Sequence, residues 1–354
     1  MTALWQIRLK DLAGDLAAII DDYEQFTLSK VVNGVGTFAL RLRAADAKAA
    51  LFVLDSQVEF WRRDIAQGLA WYKEAEYLTR GSRYTLTREG AYIYEASGVA
   101  YNHLLKRRII VPSQNVTTSK TGKAETVIKA FVDEQAGPSS TRPHLNLTLE
   151  ADGAGGNTVT MDATDKNLLE ACQAIAAAGA GDYDVLENSA AAFIFNWYDG
   201  QRGTDRSATV TFAPELGNMA EADLQLLRHD EINTILAGGQ GTGTARVTSW
   251  RTDAALTDDS PWNRCEQFVN ASQETATGGL DTAGDAELWQ GRPINQFSCT
   301  VLQIPGCYYG QHYFFGDLVT ASFGTYSATK KVQSVTITVS ANEAESIRVE
   351  LVDP

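Results

Sequence analysis

A chain of 354 residues is longer than one compact core usually holds, and it predicts two or three domains. With 44% hydrophobic and 21% charged residues, it has the balance of a folded soluble protein rather than a disordered one. A formal net charge of −14 disfavours tight, sequence-independent nucleic-acid binding, which needs clustered Lys and Arg to displace phosphate counterions.

The first hundred residues read as strands. Trp5, Ile7 and Leu9 alternate with polar neighbours, as do Phe38, Leu40 and Leu42 after the turn signal Asn33-Gly34. Val58 and Phe60, the run from Trp71, and the pairs Tyr84/Leu86 and Tyr92/Tyr94 continue the pattern. Gly68, Gly81-Ser82 and Glu89-Gly90 read as turns of a β-meander or small barrel, and Ala44 to Leu51 as a helical turn. The middle changes character. Val127, Ile128, Phe131 and Val132 recur at helical spacing between Lys123 and Gln135, with Gly137-Pro138 as the stop. A second helix, Lys166 to Ala178, places Leu168, Leu169, Cys172, Ile175 and Ala176 on one face, with Asp165 as N-cap. Strand candidates at 145–150, 183–186, 193–198 and 208–212 complete an α+β unit. The last third returns to strands at 231–236, 245–252, 297–302, 318–323, 332–339 and 347–351, broken by a helix at 283–290, and the turn 341–345 joins the final pair. The reading is a mainly β, α+β chain: a first β-barrel-like domain at 1–115, a mixed insertion at 116–228 and a second β-barrel-like domain at 229–354.

Chemistry is hard to find. Gly238-Gly-Gln-Gly-Thr-Gly243 is rich enough to cradle phosphate, but a strand-like segment follows it instead of a helix, so a hairpin is expected. The four cysteines, Cys172, Cys265, Cys299 and Cys307, show no C-x-x-C spacing, and Cys172 reads as a buried thiol. His103, His144, His229 and His312 stand alone, and the acidic clusters at 21–24, 182–184 and 258–259 lack the spacing of a calcium loop. There is no G-x-S-x-G elbow. Lys106-Arg107-Arg108 is too short for a nucleic-acid patch and reads as a solvated strand end or a subunit contact. Trp71-Tyr72, Trp197-Tyr198 and Tyr308-Tyr309 read as core or interface rings before a carbohydrate platform. The sequence therefore nominates no catalytic, cofactor-binding or metal-ligating residue, and no cofactor. Charges throughout Met1 to Ile20 speak against a secretory signal, and no stretch reaches the roughly 18 apolar residues of a membrane span.

Three stretches carry a resemblance. They are Tyr101-Asn-His-Leu-Leu-Lys-Arg-Arg-Ile-Ile-Val111, the glycines 238–243 running through Arg246, and Tyr313-Phe-Phe-Gly-Asp-Leu-Val-Thr320 followed by Val332-Gln-Ser-Val-Thr-Ile-Thr-Val339. Together they resemble the Gp37-like tail-hub family of siphophages, from about residue 4 to the end. The resemblance implies a structural baseplate protein, not an enzyme. Each subunit would supply two related small β-barrels, and a homotrimer would present a pseudo-sixfold ring to the hexameric distal tail. It implies the distal tail ring, the tape-measure protein and tail-tip or fibre proteins as partners, with DNA passing through an acidic lumen unbound and no membrane insertion. The chain stops at Pro354, so no lytic module is expected. The competing readings are a carbohydrate- or receptor-binding β module at the tail tip and, behind it, a cell-wall hydrolase.

Overall fold

The computed structural model describes residues 3–44, 47–88, 90–112, 118–142, 145–274, 277–341 and 345–354. Glu89, His144, the centre of the last expected turn (342–344) and the expected boundary at 115/116 lie outside them.

The N-terminal region comprises β1 (Leu4–Lys10), β2 (Leu16–Ile20), β3 (Gln25–Val31), β4 (Thr37–Arg43), β5 (Gln57–Arg63), β6 (Tyr72–Leu86) and β7 (Tyr92–Ala100). The expected alternation holds: Trp5, Ile7 and Leu9 point inward, as do Phe38, Leu40 and Leu42. Gly81-Ser82 is not a turn. It lies inside β6, where the register against β7 slips between Thr79 and Gly81, and this bulge bends the long strand without ending it.

A one-turn helix, α1 (His103–Lys106), leads into the mixed region of β8 (Ser119–Lys123), α2 (Ala124–Gln135), β9 (Leu147–Leu149), β10 (Thr158–Asp162), α3 (Leu168–Gly179), β11 (Gly181–Ser189) and β12 (Ala192–Asp199). Val127, Ile128, Phe131 and Val132 of α2 pack with Leu168, Cys172 and Ile175 of α3 against Tyr183 and Phe195 of the strands. The N-cap of α3 is Asn167, whose side chain accepts the Leu169 N–H at 3.0 Å, and not Asp165. Asp165 sits two residues earlier at φ +60°, in a turn that aims its backbone at Ile110.

The rest of the chain is β13 (Thr211–Phe212), β14 (Met219–Leu227), β15 (Thr234–Gly238), β16 (Thr248–Thr252), α4 (Ala254–Thr257), β17 (Glu266–Asn270), α5 (Thr277–Gln290), β18 (Ile294–Val301), β19 (Leu318–Phe323), β20 (Tyr326–Ser340) and β21 (Ser346–Val352). Strands β15, β16 and β17 form a separate three-stranded sheet under α5. That small unit interrupts the second β region and leans on the mixed one, where the Asp162 N–H donates to Glu274 at 2.8 Å and the Thr160 N–H to Thr282 at 2.9 Å.

The two β regions are continuous. Strand β20 pairs antiparallel with β3 from Ser334↔Val31 to Ser340↔Gln25, so the strands run β14-β18-β21-β20-β3-β4-β7-β6-β5-β1-β2 in one 13-stranded sheet, with β19 beside β20 and β13 beside β19. No pairing among the described residues closes either half on itself. One hydrophobic core follows the sheet from Trp5 and Phe60 through Phe297 and Ile337 to Leu351. Phe60, fully buried, lies 5.1 Å from Phe26, 5.6 Å from Phe38 and 5.7 Å from Tyr77 between ring centroids.

Two outcomes follow from this packing. Phe60→Ala should lower unfolding stability by about 3–5 kcal/mol. Because the core is shared, urea melts followed by tryptophan fluorescence and by far-ultraviolet dichroism should shift together. The second concerns Glu231 at the root of the small sheet, which Arg228 holds down to about 2, with amide donors from Asn233 and Asn263 assisting. A depressed carboxylate stabilises the fold above its ordinary value near 4.5 and loses that contribution as pH falls toward 2. Glu231→Gln should therefore flatten the fall in thermal midpoint between about pH 4.5 and 2.

Candidate functional site

Among the described residues, the polar groups that could carry chemistry converge where the first β region meets its neighbours. Two junctions there gather the densest groups. In the first, Lys10 of β1, Glu59 of β5, Lys73 and Glu76 of β6, and Glu187 of β11 share one cluster. Lys10 Nζ lies 2.6 Å from Glu59 and 2.7 Å from Glu187, and Lys73 Nζ lies 3.0 Å from Glu187 and in contact with Glu76. The Glu187 N–H also donates to Glu76 at 2.6 Å. Burial works to raise Glu59, but Lys10 and the Trp61 indole hold it below the usual carboxylate range. Burial dominates at Glu76 and pushes it up despite Lys73.

Oxygens of Glu59, Glu76 and Glu187 all come within 4.8 Å of one another, which is the geometry of a cation site. Two ammonium groups already stand among them and do the neutralising that a metal ion would do. The cluster is a charged rivet between β1, β5, β6 and β11.

The second junction centres on Arg62 of β5, whose side chain is 1% exposed. It donates to Glu345 at 2.5 and 3.1 Å, to the Tyr309 carbonyl at 3.2 Å and to the Tyr72 hydroxyl at 3.1 Å. The Trp5 indole donates to the same carboxylate. Burial opposes the charge on Arg62, yet the Glu345 contact outweighs it and the guanidinium is held more firmly than usual. Alongside, Glu74 accepts from Lys30 at 2.8 Å and from the Tyr309 hydroxyl at 2.6 Å. These bonds tie β5 and β6 to the loop before β19 and to the β20–β21 turn.

Between the two junctions and β11 lies a cavity of about 390 Å³, lined by Tyr72, Glu74, Glu76, Asp184, Arg202 and Phe315 among others. Its carboxylates are engaged: Asp184 accepts from Arg202 at 2.7 Å and from Tyr198 at 3.1 Å. Glycoside hydrolysis needs two carboxylates free to face a sugar across a cleft, and these face their own cations.

The motifs picked out in the sequence fall into structural places. Leu104 and Leu105 are buried in the mixed core, and Arg107 forks onto Asp55 at 2.8 and 3.0 Å. The basic run is thus a helix end latched within the chain, not a strand end. Asp317, 2% exposed, accepts from the Thr204 and Phe314 N–H groups and from Arg206, while Gly316 turns at φ +88°. A side chain on Gly203 would strike Gly316 and Asp317 at 2.3–2.5 Å, so the Gly-Asp-Leu-Val element is a crossing point of two backbones. The glycines from 238 to 243 form the β15–β16 hairpin, as their strand-like sequel implied. Trp197 and Tyr309 fill interiors.

The model of the Siphovirus ReqiPepy6 Gp37-like protein family matches residues 4–351. The chain belongs to that family. No curated protein matches it. Among solved structures, the Gp37-like chain resembles the tail protein from Neisseria meningitidis MC58, with 12% identity, TM-score 0.61 and coverage of 100% of this chain and 97% of that one. The 43 kDa tail protein of prophage MuSo2 from Shewanella oneidensis gives 10%, 0.62, 99% and 98%, and prophage tail protein gp18 from Listeria monocytogenes EGD-e gives 12%, 0.56, 98% and 94%. At such identities the likeness is one of fold: the Gp37-like chain has the mainly β architecture of phage tail proteins. Among its described residues, no helix is long and apolar enough to cross a membrane.

The Arg62 junction yields a direct test. Arg62→Met strands the Glu345 carboxylate in the interior and should cost about 3–5 kcal/mol, of which adding Glu345→Gln should recover a part. Urea denaturation of the two variants reads the difference.

Proposed function

We propose that this chain is a structural tail component, the hub at the tip of a long phage tail, and that three copies close into a ring. The observation that supports this reading most is the continuous sheet, whose two end strands, β2 and β14, each pair on one side only among the described residues. At one end β2 leaves Leu16 and Ile19 exposed, and at the other β14 leaves Leu226 and Leu227 exposed. A bulge at Ala220–Asp223 interrupts β14, after which Asp223 to Leu227 run regularly against β18.

Exposed strand edges pair with other chains unless something covers them. Two unlike edges on one molecule make a head-to-tail contact, which closes a ring when the rotation allows. Three subunits, each contributing two β regions, would offer six similar positions to a hexameric tail ring. The partners on this reading are the distal tail ring, the tape-measure protein within and tip or fibre proteins below, in the virion. The reading assigns no catalytic role and no cofactor. The net charge of −14 suits a conduit through which DNA slides without sticking.

Light scattering behind a sizing column tests it. Three chains of 38.5 kDa should elute at about 116 kDa. Leu226→Lys, a charge placed on an exposed edge position, should give a monomer that keeps the far-ultraviolet dichroism of the wild type. A wild-type protein that stays monomeric at every concentration and in assembled tails would contradict the ring.

A further inference from the structure

The outward face of the small sheet carries exposed rings beside a fixed positive charge. Helix α5 covers one side, where Ile235, Ala237 and Leu280 are buried and Arg251 pairs with Asp285 at 2.7 and 3.0 Å. On the opposite side, Trp250 of β16, Leu236 of β15 and Phe268 of β17 occupy directly paired positions. Trp250 is 50% exposed, Phe268 48%, and Trp262 in the preceding loop 88%. Adjacent strands lie about 4.8 Å apart, so the two outer rings are separated by roughly 10 Å with Leu236 between them. The result is a flat apolar strip one side chain deep.

A guanidinium is fixed beside it. Arg246 donates to the carbonyls of Gly239 and Gly238 at 3.0 and 3.1 Å and contacts the Asn270 side chain, with its Cζ 4.9 Å from the Phe268 ring centre. Gly238 makes the room: a Cβ there would lie 2.6 Å from the Phe268 ring and 2.7 Å from Arg246 Nε. Among the described residues, no carboxylate pairs with Arg246, although the chain carries fourteen more acidic than basic groups. Arg264, beside Trp250, is by contrast neutralised by Glu266 at 2.5 Å. Thr248, Thr252 and Asn270 edge the same face with hydrogen-bonding groups.

We propose that this strip binds an extended acidic glycan. Sugar rings present apolar C–H faces that lie on Trp250, Leu236 and Phe268, while their hydroxyls reach the polar edge. An acidic substituent, carboxylate or phosphodiester, meets Arg246 as a charge-assisted pair. A protein partner would favour a broader, charge-depleted apolar patch with a polar rim. The strip is narrow, and its positive charge is built in beside a ring. The inference does not depend on ring formation, because β15 to β17 stand outside the large sheet.

The test uses the full-length protein, with tryptophan fluorescence and calorimetry as readouts. Oligogalacturonate supplies carboxylates, phosphomannan supplies phosphodiesters, and cellohexaose is the neutral control. At least one acidic oligomer should bind more tightly than cellohexaose. Trp250→Ala should weaken that binding about tenfold, the scale of one lost stacking contact. Arg246→Gln should remove the preference for the acidic ligand. Trp250 is half exposed, so its variant should keep the wild-type thermal midpoint, and a matching melt certifies the comparison. Absence of binding to all three oligomers would overturn the proposal, as would a preference for cellohexaose or binding unaffected by Trp250→Ala. A fall in molecular mass on Trp250→Ala would overturn it too, assigning the face to a second copy of the chain.

Discussion

Seven residues of β20 lie against seven of β3, and the rest of the architecture depends on that ladder. It joins segments some three hundred residues apart in sequence, and through it two β regions become one sheet with one core. Inward side chains on both strands are fully buried, Leu28 beside Ile337 and Phe26 beside Val339, so a slip of one residue would turn each apolar set outward. The mixed region is then held from the side. The Asn33 turn between β3 and β4 accepts the Tyr183 N–H at 2.8 Å and donates to Asp182 at 2.9 Å.

Buried charge does the remaining positioning. Asp182 also receives Lys331 of β20 at 2.5 Å, so a single carboxylate links the seam to β11. Arg62 with Glu345 and Lys10 and Lys73 with Glu59, Glu76 and Glu187 repeat the device at other boundaries. Such pairs add little net stability over apolar packing, but removing one partner is costly, which makes them good at specifying which surfaces meet.

Where the pattern was local, the sequence was informative. The inward rows of β1 and β4, the apolar faces of α2 and α3, and the Gly238–Gly243 hairpin all follow from periodicity and turn chemistry. Strands with mixed polarity carry no such signal. Ser119–Lys123 carries no large apolar residue, and Met219–Leu227 is mostly exposed at a sheet edge. The start of α5, Thr-Gly-Gly-Leu, reads as a loop by propensity, and packing on α3 and β10 overrides it. Asp165 suits the cap role by residue type, and only backbone geometry, which places the cap at Asn167, excludes it. The β3–β20 ladder and the charged junctions join residues far apart in the chain, which no local pattern records. The exposed strip of Trp250, Leu236 and Phe268 was hidden for the same reason, since its three residues come from three strands.

In the proposed ring, neighbouring copies meet edge to edge, β2 of one against β14 of the next. Cysteines placed on the two exposed edges, Ala17→Cys and Gln225→Cys in one chain, test it most directly by oxidative cross-linking of the assembled protein, with each single variant as control. Covalent dimers and trimers that stop at three chains are expected from the double variant, and none from either single variant. Cross-links that run on past three, or their absence in a protein of trimeric mass, would contradict it.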